Sequence, residues 1–268
     1  GDFMALGWIK NFDEFSFDSL LLLEECQIEW IDETSLLEEW TYVFKKYPYI
    51  ARFFKNKAPN KAEWVDRCTK RNADLNADEK VIERKIILNL EDFLVYAVNP
   101  SIYDDMPFVG WDEKELTDLI DFSDKRVIDI GSGTGKQAFA VAEMAREVYC
   151  VEPVANLRKY LQEKAKKRGL RNIRVVDGLI TKLPFEDDFA DVTMGGHVFG
   201  DFLENEYAET MRVTKPGGMV IFIPGNVDSD NGIHKFLIEK GFSFERFMEP
   251  GDGMKRKYWV IKRTNKND

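Results

Sequence analysis

Histidine and cysteine are scarce in this chain, at two and three in 268 residues. His197 and His234 alone cannot supply a histidine-rich metal centre, and no metal is expected. Cys26, Cys68 and Cys150 are odd in number and far apart, which suits neither a disulfide framework nor a zinc knuckle and points to a reducing compartment. No apolar run approaches the eighteen or so residues that a bilayer span requires, and no secretory leader is visible. These absences predict a cytoplasmic protein without a membrane partner. Basic residues also fall short of acidic ones, 38 against 48. The imbalance sits at one end, because residues 1–40 carry eleven Asp or Glu against the single Lys10. An acidic arm repels a phosphate backbone, so nucleic acid is not the expected partner.

What is present divides in two. Up to Pro100 the apolar residues recur at helical spacing between acids. Ser35 with Glu38, Asn60 with Glu63 and Asn76 with Glu79 each read as a capping box at a helix start. The last would head one long helix to about Val98, stopped by Pro100. Residues 1–108 are therefore expected to form a helical appendage without repeats, and residues 109–268 a second domain. After a short helix over 112–120, strands alternate with helices, the pattern of a parallel sheet. Predicted strands are 126–130, 147–151, 173–176, 190–194, 219–223, 242–248 and 257–262. Lys215-Pro216-Gly217-Gly218 reads as a sharp turn into the fifth, and Pro250 to Gly253 as a hairpin turn between the last two. The expected fold is α/β, a doubly wound, mostly parallel seven-stranded sheet with an amino-terminal helical cap.

The chemistry concentrates in Val127-Ile128-Asp129-Ile130-Gly131-Ser132-Gly133-Thr134-Gly135. A buried strand carrying one carboxylate runs into alternate glycines, which allow positive φ and close approach of a ligand to the backbone. Apolar residues at helical spacing then follow from Lys136, so the turn opens a helix, as in nucleotide-binding turns. The dinucleotide fingerprint requires a glycine where Lys136 stands. A Walker loop fails as well, because Gln137 follows that lysine. In a doubly wound sheet ligands meet the carboxyl ends of strands. Those ends carry Asp129, Glu152-Pro153, Asp177-Gly178 and Gly195-Gly196-His197.

A strand carboxylate followed by G-x-G-x-G resembles motif I of the class I S-adenosylmethionine-dependent methyltransferases, and the resemblance covers about residues 109–263. Leu183 to Asp191 and Arg212 to Gly218 are similar to the segments before that family's fourth and fifth strands. The resemblance implies S-adenosylmethionine as cofactor. Asp129, Gly131, Ser132, Gly133 and Gly135 would hold its methionine end, with Gly195 alongside. Glu152 would meet the ribose, Asp177 the adenine amine and Leu179 the adenine ring, with Pro153 and Gly178 also among the cofactor-binding residues. His197 is the expected general base, with Asp201 to orient it, because histidine titrates near neutral pH. Tyr103 is the second catalytic candidate, in a segment that closes over the cofactor in this family. The Asn/Asp-Pro-Pro-Tyr/Phe run of amino-adenine methyltransferases is replaced by Gly195-Gly196-His197-Val198, and no paired catalytic cysteines occur. The leading acceptor is a small molecule, with the helical appendage capping its pocket. A protein or RNA acceptor, and a cofactor-binding interaction module without turnover, remain open, as does the oligomeric state.

Overall fold

The computed structural model describes residues 7–263, and the chain divides into two units, Gly1–Ile102 and Tyr103–Asp268. The first unit is built from α1 (Glu25–Glu29), α2 (Leu37–Lys46), α3 (Pro48–Lys57), α4 (Ala62–Lys70), α5 (Glu79–Asn89) and α6 (Glu91–Val98). A cluster of aromatic rings sits within its aliphatic core. Trp40 stacks on Phe44 with centroids 5.3 Å apart and meets Trp64 edge-on at 5.3 Å, while Phe44 meets Phe54 at 5.4 Å. All four rings are buried, and such offset and edge-on pairs add to what burial alone contributes.

The three expected capping boxes do not form. Ser35 donates its hydroxyl to Asp32 at 2.8 Å, and α2 starts after Leu36 in the left-handed region. Asn60 lies in a 3-10 turn before α4 and donates to Glu29 at 2.8 Å. Asp78 rather than Asn76 caps α5, accepting from the Lys80 and Val81 amides at 3.0 and 3.4 Å. The expected long helix is broken at Leu90. The break leaves Glu91 buried, where its carboxylate accepts from the Ile9 amide at 2.7 Å.

The short helix α7 (Ser101–Asp104) crosses the division, which falls earlier than the 108 expected from sequence. The physical reason is Asp104, which accepts hydrogen bonds from Tyr160 and Lys164 of the sheet unit at 2.7 and 2.8 Å. The helix expected over 112–120 is reduced to α8 (Lys114–Thr117). A seven-stranded sheet follows, comprising β1 (Arg126–Ile130), β2 (Glu147–Val151), β3 (Ile173–Val176), β4 (Ala190–Gly195), β5 (Thr214–Val227), β6 (Ser243–Glu249) and β7 (Gly253–Ile261). Helices α9 (Lys136–Val141), α10 (Ala155–Lys167), α11 (Leu203–Val213) and α12 (Gly232–Glu239) join them.

The strand order is β3-β2-β1-β4-β5-β7-β6, with β1 to β5 parallel and β7 antiparallel to both neighbours. The order reverses between β1 and β4, whose ends pair Ile130 with Gly195. That reversal is where an open α/β sheet leaves a crevice for a ligand. Because β6 pairs antiparallel with a strand that is itself antiparallel to β5, its carboxyl end falls on the same edge of the sheet as the other strand ends. The expected turn at Lys215–Gly218 lies within β5, as a bulge between the Ala190–Thr214 and Val192–Met219 pairs. A second irregularity separates Phe222 from Asn226 opposite β7. It contains Pro224, which has no amide to give the ladder.

Candidate active site

The glycine turn is fastened from below. The amides of Gly131 and Ser132 both donate to the Val151 carbonyl, at 2.8 and 3.2 Å, so the end of β1 is tied to the end of β2. Gly131 and Gly133 have φ of 62° and 53°, a region that costs any residue with a Cβ. At Gly131 a Cβ would also run into Val198 Cγ1, and at Gly133 it would face the Tyr103 ring at 3.5 Å. The turn is thus shaped for backbone on one side and a covering aromatic ring on the other.

Two of the strand-end carboxylates are buried. Asp129 is 1 % exposed, and its Oδ2 accepts no hydrogen bond among the described residues. Burial pushes its carboxyl up to about 7, with the nearby Glu152 charge adding to the rise. Glu152 is 4 % exposed. Its Oε2 accepts from the Gly133 amide and its Oε1 from the Val154 amide, each at 2.9 Å. Burial outweighs those two bonds and holds its carboxyl at about 7. Asp177 differs, being exposed and paired with Arg158 at 3.2 Å. Arg158 also donates to the carbonyls of Glu152 and Pro153, at 2.9 and 2.6 Å, and so ties the end of β2 to that of β3. Gly178 packs where a Cβ would lie 2.9 Å from both Pro184 and Val151, and Leu179 beyond it is 40 % exposed.

His197, Tyr103, Asp129, Gly131 and Ser132 come together around one cavity of about 40 Å³, which Phe108, Trp111, Gln137 and Glu249 also line. Asp177 and Leu179 do not reach it. His197 sits at φ 57°, its amide donating to the Pro224 carbonyl at 2.9 Å. The irregularity of β5 between Phe222 and Asn226 supplies that carbonyl. The expected orienting residue, Asp201, is exposed. Instead, Glu249 at the end of β6, fully buried, lies with Oε1 2.8 Å from His197 Nε2. A carboxylate at that nitrogen fixes the neutral ring with its proton on Nε2 and leaves Nδ1 as the acceptor. Tyr103 packs edge-on against Phe108, centroids 5.2 Å apart. Burial and the charges of Glu152, Glu249 and Asp104 hold its phenol well above the usual tyrosine range. It remains a neutral hydroxyl near pH 7, which argues against a basic role.

Sequence reasoning missed Glu249 and Gln137. The signal for Glu249 is its place as the last residue of a strand, just before Pro250-Gly251. Among the described residues no group of three or more His, Cys, Asp or Glu side chains is arranged to hold a metal ion. No helix among them is long and apolar enough to cross a membrane.

A profile described as a methyltransferase domain matches residues 128–222, from the middle of β1 into β5. Over these residues the chain is similar to methyltransferase domains, in keeping with the resemblance of its glycine turn to class I S-adenosylmethionine-dependent methyltransferases. Over 103 residues the chain is 36 % identical to a demethylmenaquinone methyltransferase of Geobacillus kaustophilus, covering 36 % of this chain and 44 % of that protein. Over 174 residues it is 26 % identical to a protein-L-isoaspartate O-methyltransferase of Syntrophobacter fumaroxidans, covering 59 % of this chain and 67 % of that one. The chain spans about half the length of the first curated relatives it matches. Among solved structures, a SAM-dependent methyltransferase from Aquifex aeolicus superposes with a TM-score of 0.50 at 20 % identity, covering 61 % of this chain and 98 % of that one. At that identity the likeness concerns the fold, a Rossmann-like methyltransferase sheet.

Proposed function

We propose that the protein is an S-adenosylmethionine-dependent methyltransferase acting on a small-molecule acceptor. The observation that carries the reading is Asp129, a buried carboxylate with one oxygen unpartnered, set beside a glycine turn that Glu152 holds in shape. That oxygen suits a cationic donor, and Glu152 keeps lone pairs for hydroxyl groups after accepting its two amides. The residues therefore fit the cofactor of the family. When bound, S-adenosylmethionine supplies an electrophilic methyl group on a positive sulfonium.

In this reading Asp129 takes the ammonium of the methionine end, against the backbone of Gly131 to Gly135 and Gly195. Glu152 and Pro153 meet the ribose, Asp177 and Gly178 the adenine amine, and Leu179 the face of the base. Tyr103 lies over Gly133 and keeps water from the reacting centre. His197 accepts the proton that the acceptor's nucleophile gives up, through Nδ1, because Glu249 occupies Nε2. Positioning alone can lower a barrier by roughly 7–11 kcal/mol, and a base adds about a hundred- to ten-thousand-fold where proton removal limits the rate.

A small acceptor is supported by the aromatic lining beside His197, formed by Tyr103, Phe108 and Trp111. The match to a relative named for demethylmenaquinone points the same way. The test is a panel of small molecules, peptides and RNA incubated with the protein and cofactor, followed by release of S-adenosylhomocysteine. Turnover on a small molecule is expected. Turnover on peptides or RNA alone would overturn the acceptor class, and none on any substrate would favour a binding module without catalysis.

A further inference from the structure

The sheet ends on β3 at one side and on β6 at the other, and the two edges are finished differently. On β6 the charged residues are engaged, Glu245 with Lys257 at 3.2 Å and Arg246 with Asp228 at 2.8 Å. The β3 edge is open. The Asn172 and Val176 carbonyls accept from the Val148 and Glu152 amides, at 3.0 Å each. In a parallel ladder every second residue serves a given neighbour, so Ile173 and Val175 turn their amides and carbonyls away from β2. Among the described residues no strand pairs there. One side chain reaches across, since Arg174 donates to the Arg171 carbonyl at 2.7 Å and to the Ile173 carbonyl at 3.5 Å.

This edge borders a groove of about 840 Å³. Half-buried Leu170, Ile173 and Val175 give it an apolar floor, and exposed Lys166, Arg171 and Arg174 a basic rim. None of the three cations forms an ion pair among the described residues. The acids nearest along the chain are taken, Glu163 by Lys159 at 3.9 Å and Asp177 by Arg158 at 3.2 Å. Residues 159–176 carry seven Lys or Arg against Glu163 alone, in a chain of net charge −10.

Free main-chain groups, apolar side chains and cations without counter-ions therefore meet at one place. A second copy of this chain does not suit it, because pairing edge to edge would bring two arginine-bearing edges together, and such charges guard edges against one another. Nucleic acid would satisfy the cations, but its phosphates offer no donor to the strand's carbonyls. An extended polypeptide offers both donors and acceptors. Ile173 and Val175 lie on one face of the strand and Arg174 on the other, so the matching strand alternates apolar and acidic residues. We propose that the β3 edge and its groove form a docking site for an extended acidic segment of a partner polypeptide, which adds to the sheet as a further strand. No residue of this groove lines the cavity around His197, and the docking site stands independently of the methyltransferase reading.

The probe is an end-blocked peptide of four valine–glutamate repeats, labelled for fluorescence anisotropy and titrated with the full chain. It is compared with a valine–lysine peptide, with a proline–glutamate peptide that keeps the charge but not the strand, and with a uridine decanucleotide. The valine–glutamate peptide is expected to bind roughly tenfold or more tightly than each of these. It should also slow hydrogen exchange of the Ile173 and Val175 amides and leave the β6 amides unchanged. The double variant Arg171→Glu, Arg174→Glu should lose roughly tenfold or more in affinity for the acidic peptide and gain affinity for the valine–lysine peptide, a gain that a misfolded protein would not show. Absence of binding by the valine–glutamate peptide overturns the proposal. Equal binding of the proline–glutamate peptide, or binding without slower exchange at Ile173 and Val175, overturns strand addition. The decanucleotide binding as tightly as the acidic peptide would make the groove a nucleic-acid site instead.

Discussion

Replacing Asp129 by Asn should stabilise the ligand-free sheet unit, and increasingly so as pH rises. A carboxyl whose folded pKa lies above its ordinary value contributes most stability at low pH, and loses it as pH climbs through the folded value. For Asp129 that window runs from its ordinary 3.8 to about 7. A rise of that size is worth about 4 kcal/mol between the two protonation states. Asn is neutral throughout and nearly isosteric. The variant should therefore gain about 4 kcal/mol over wild type at pH 8, where Asp129 is ionised in both states. At pH 5 the folded carboxyl is mostly protonated, and the gain shrinks to about 2 kcal/mol. Glu152 titrates in the same direction but is common to both proteins. Hydrogen exchange of the β1 and β4 amides suits the measurement because it reports opening of the sheet unit alone. Comparing the two proteins at the same pH cancels the intrinsic exchange rate. Slower exchange in Asp129→Asn by roughly two to three decades at pH 8, and by distinctly less at pH 5, is the expected result. An advantage that does not grow with pH, or a variant less protected at both, would refute the claim that burial of an unpartnered carboxylate dominates here.

Other expectations can be checked alongside. Gly131→Ala should lose about 2 kcal/mol or more in the same exchange measurement, because positive φ and the stiff, β-branched Val198 both oppose a Cβ; unchanged protection would mean that the turn is slack. Glu152→Gln presents an NH2 group to one of the two amides that its carboxylate now receives. Affinity for S-adenosylhomocysteine should fall tenfold or more, as expected for loss of a charged hydrogen bond of about 1.5–3 kcal/mol. Affinity retained in a folded Glu152→Gln protein would place the ribose elsewhere.

The sheet was legible because its first strands, Arg126–Ile130, Glu147–Val151 and Ile173–Val176, are short apolar runs bounded by turn residues, and their bounds agree with the structure. Gly169, just past the end of α10, adopts the left-handed conformation that glycine tolerates, at φ 71°. Asn231, a residue type suited to a helix start, caps α12 by accepting from the His234 amide at 3.1 Å. The helical unit was read less well, because capping pairs are local patterns and other partners outbid them. Ser35 and Asn60 both found carboxylates instead, on Asp32 and Glu29. At the site, Asp129, Glu152 and His197 were legible from their places at strand ends. Glu249 and Gln137 were not, since the fold brings them to one cavity from 112 residues apart in sequence.

The central claim, that the strand ends of this sheet hold S-adenosylmethionine rather than a dinucleotide, has one direct test. Lys136 stands where the dinucleotide fingerprint needs its third glycine, and it is engaged with Glu113 at 3.1 Å and lies over Trp111 at 5.1 Å. Calorimetric titration of the full chain should give binding of S-adenosylmethionine and S-adenosylhomocysteine and no heat with NAD. Binding of NAD without a response to either adenosyl compound would contradict the account.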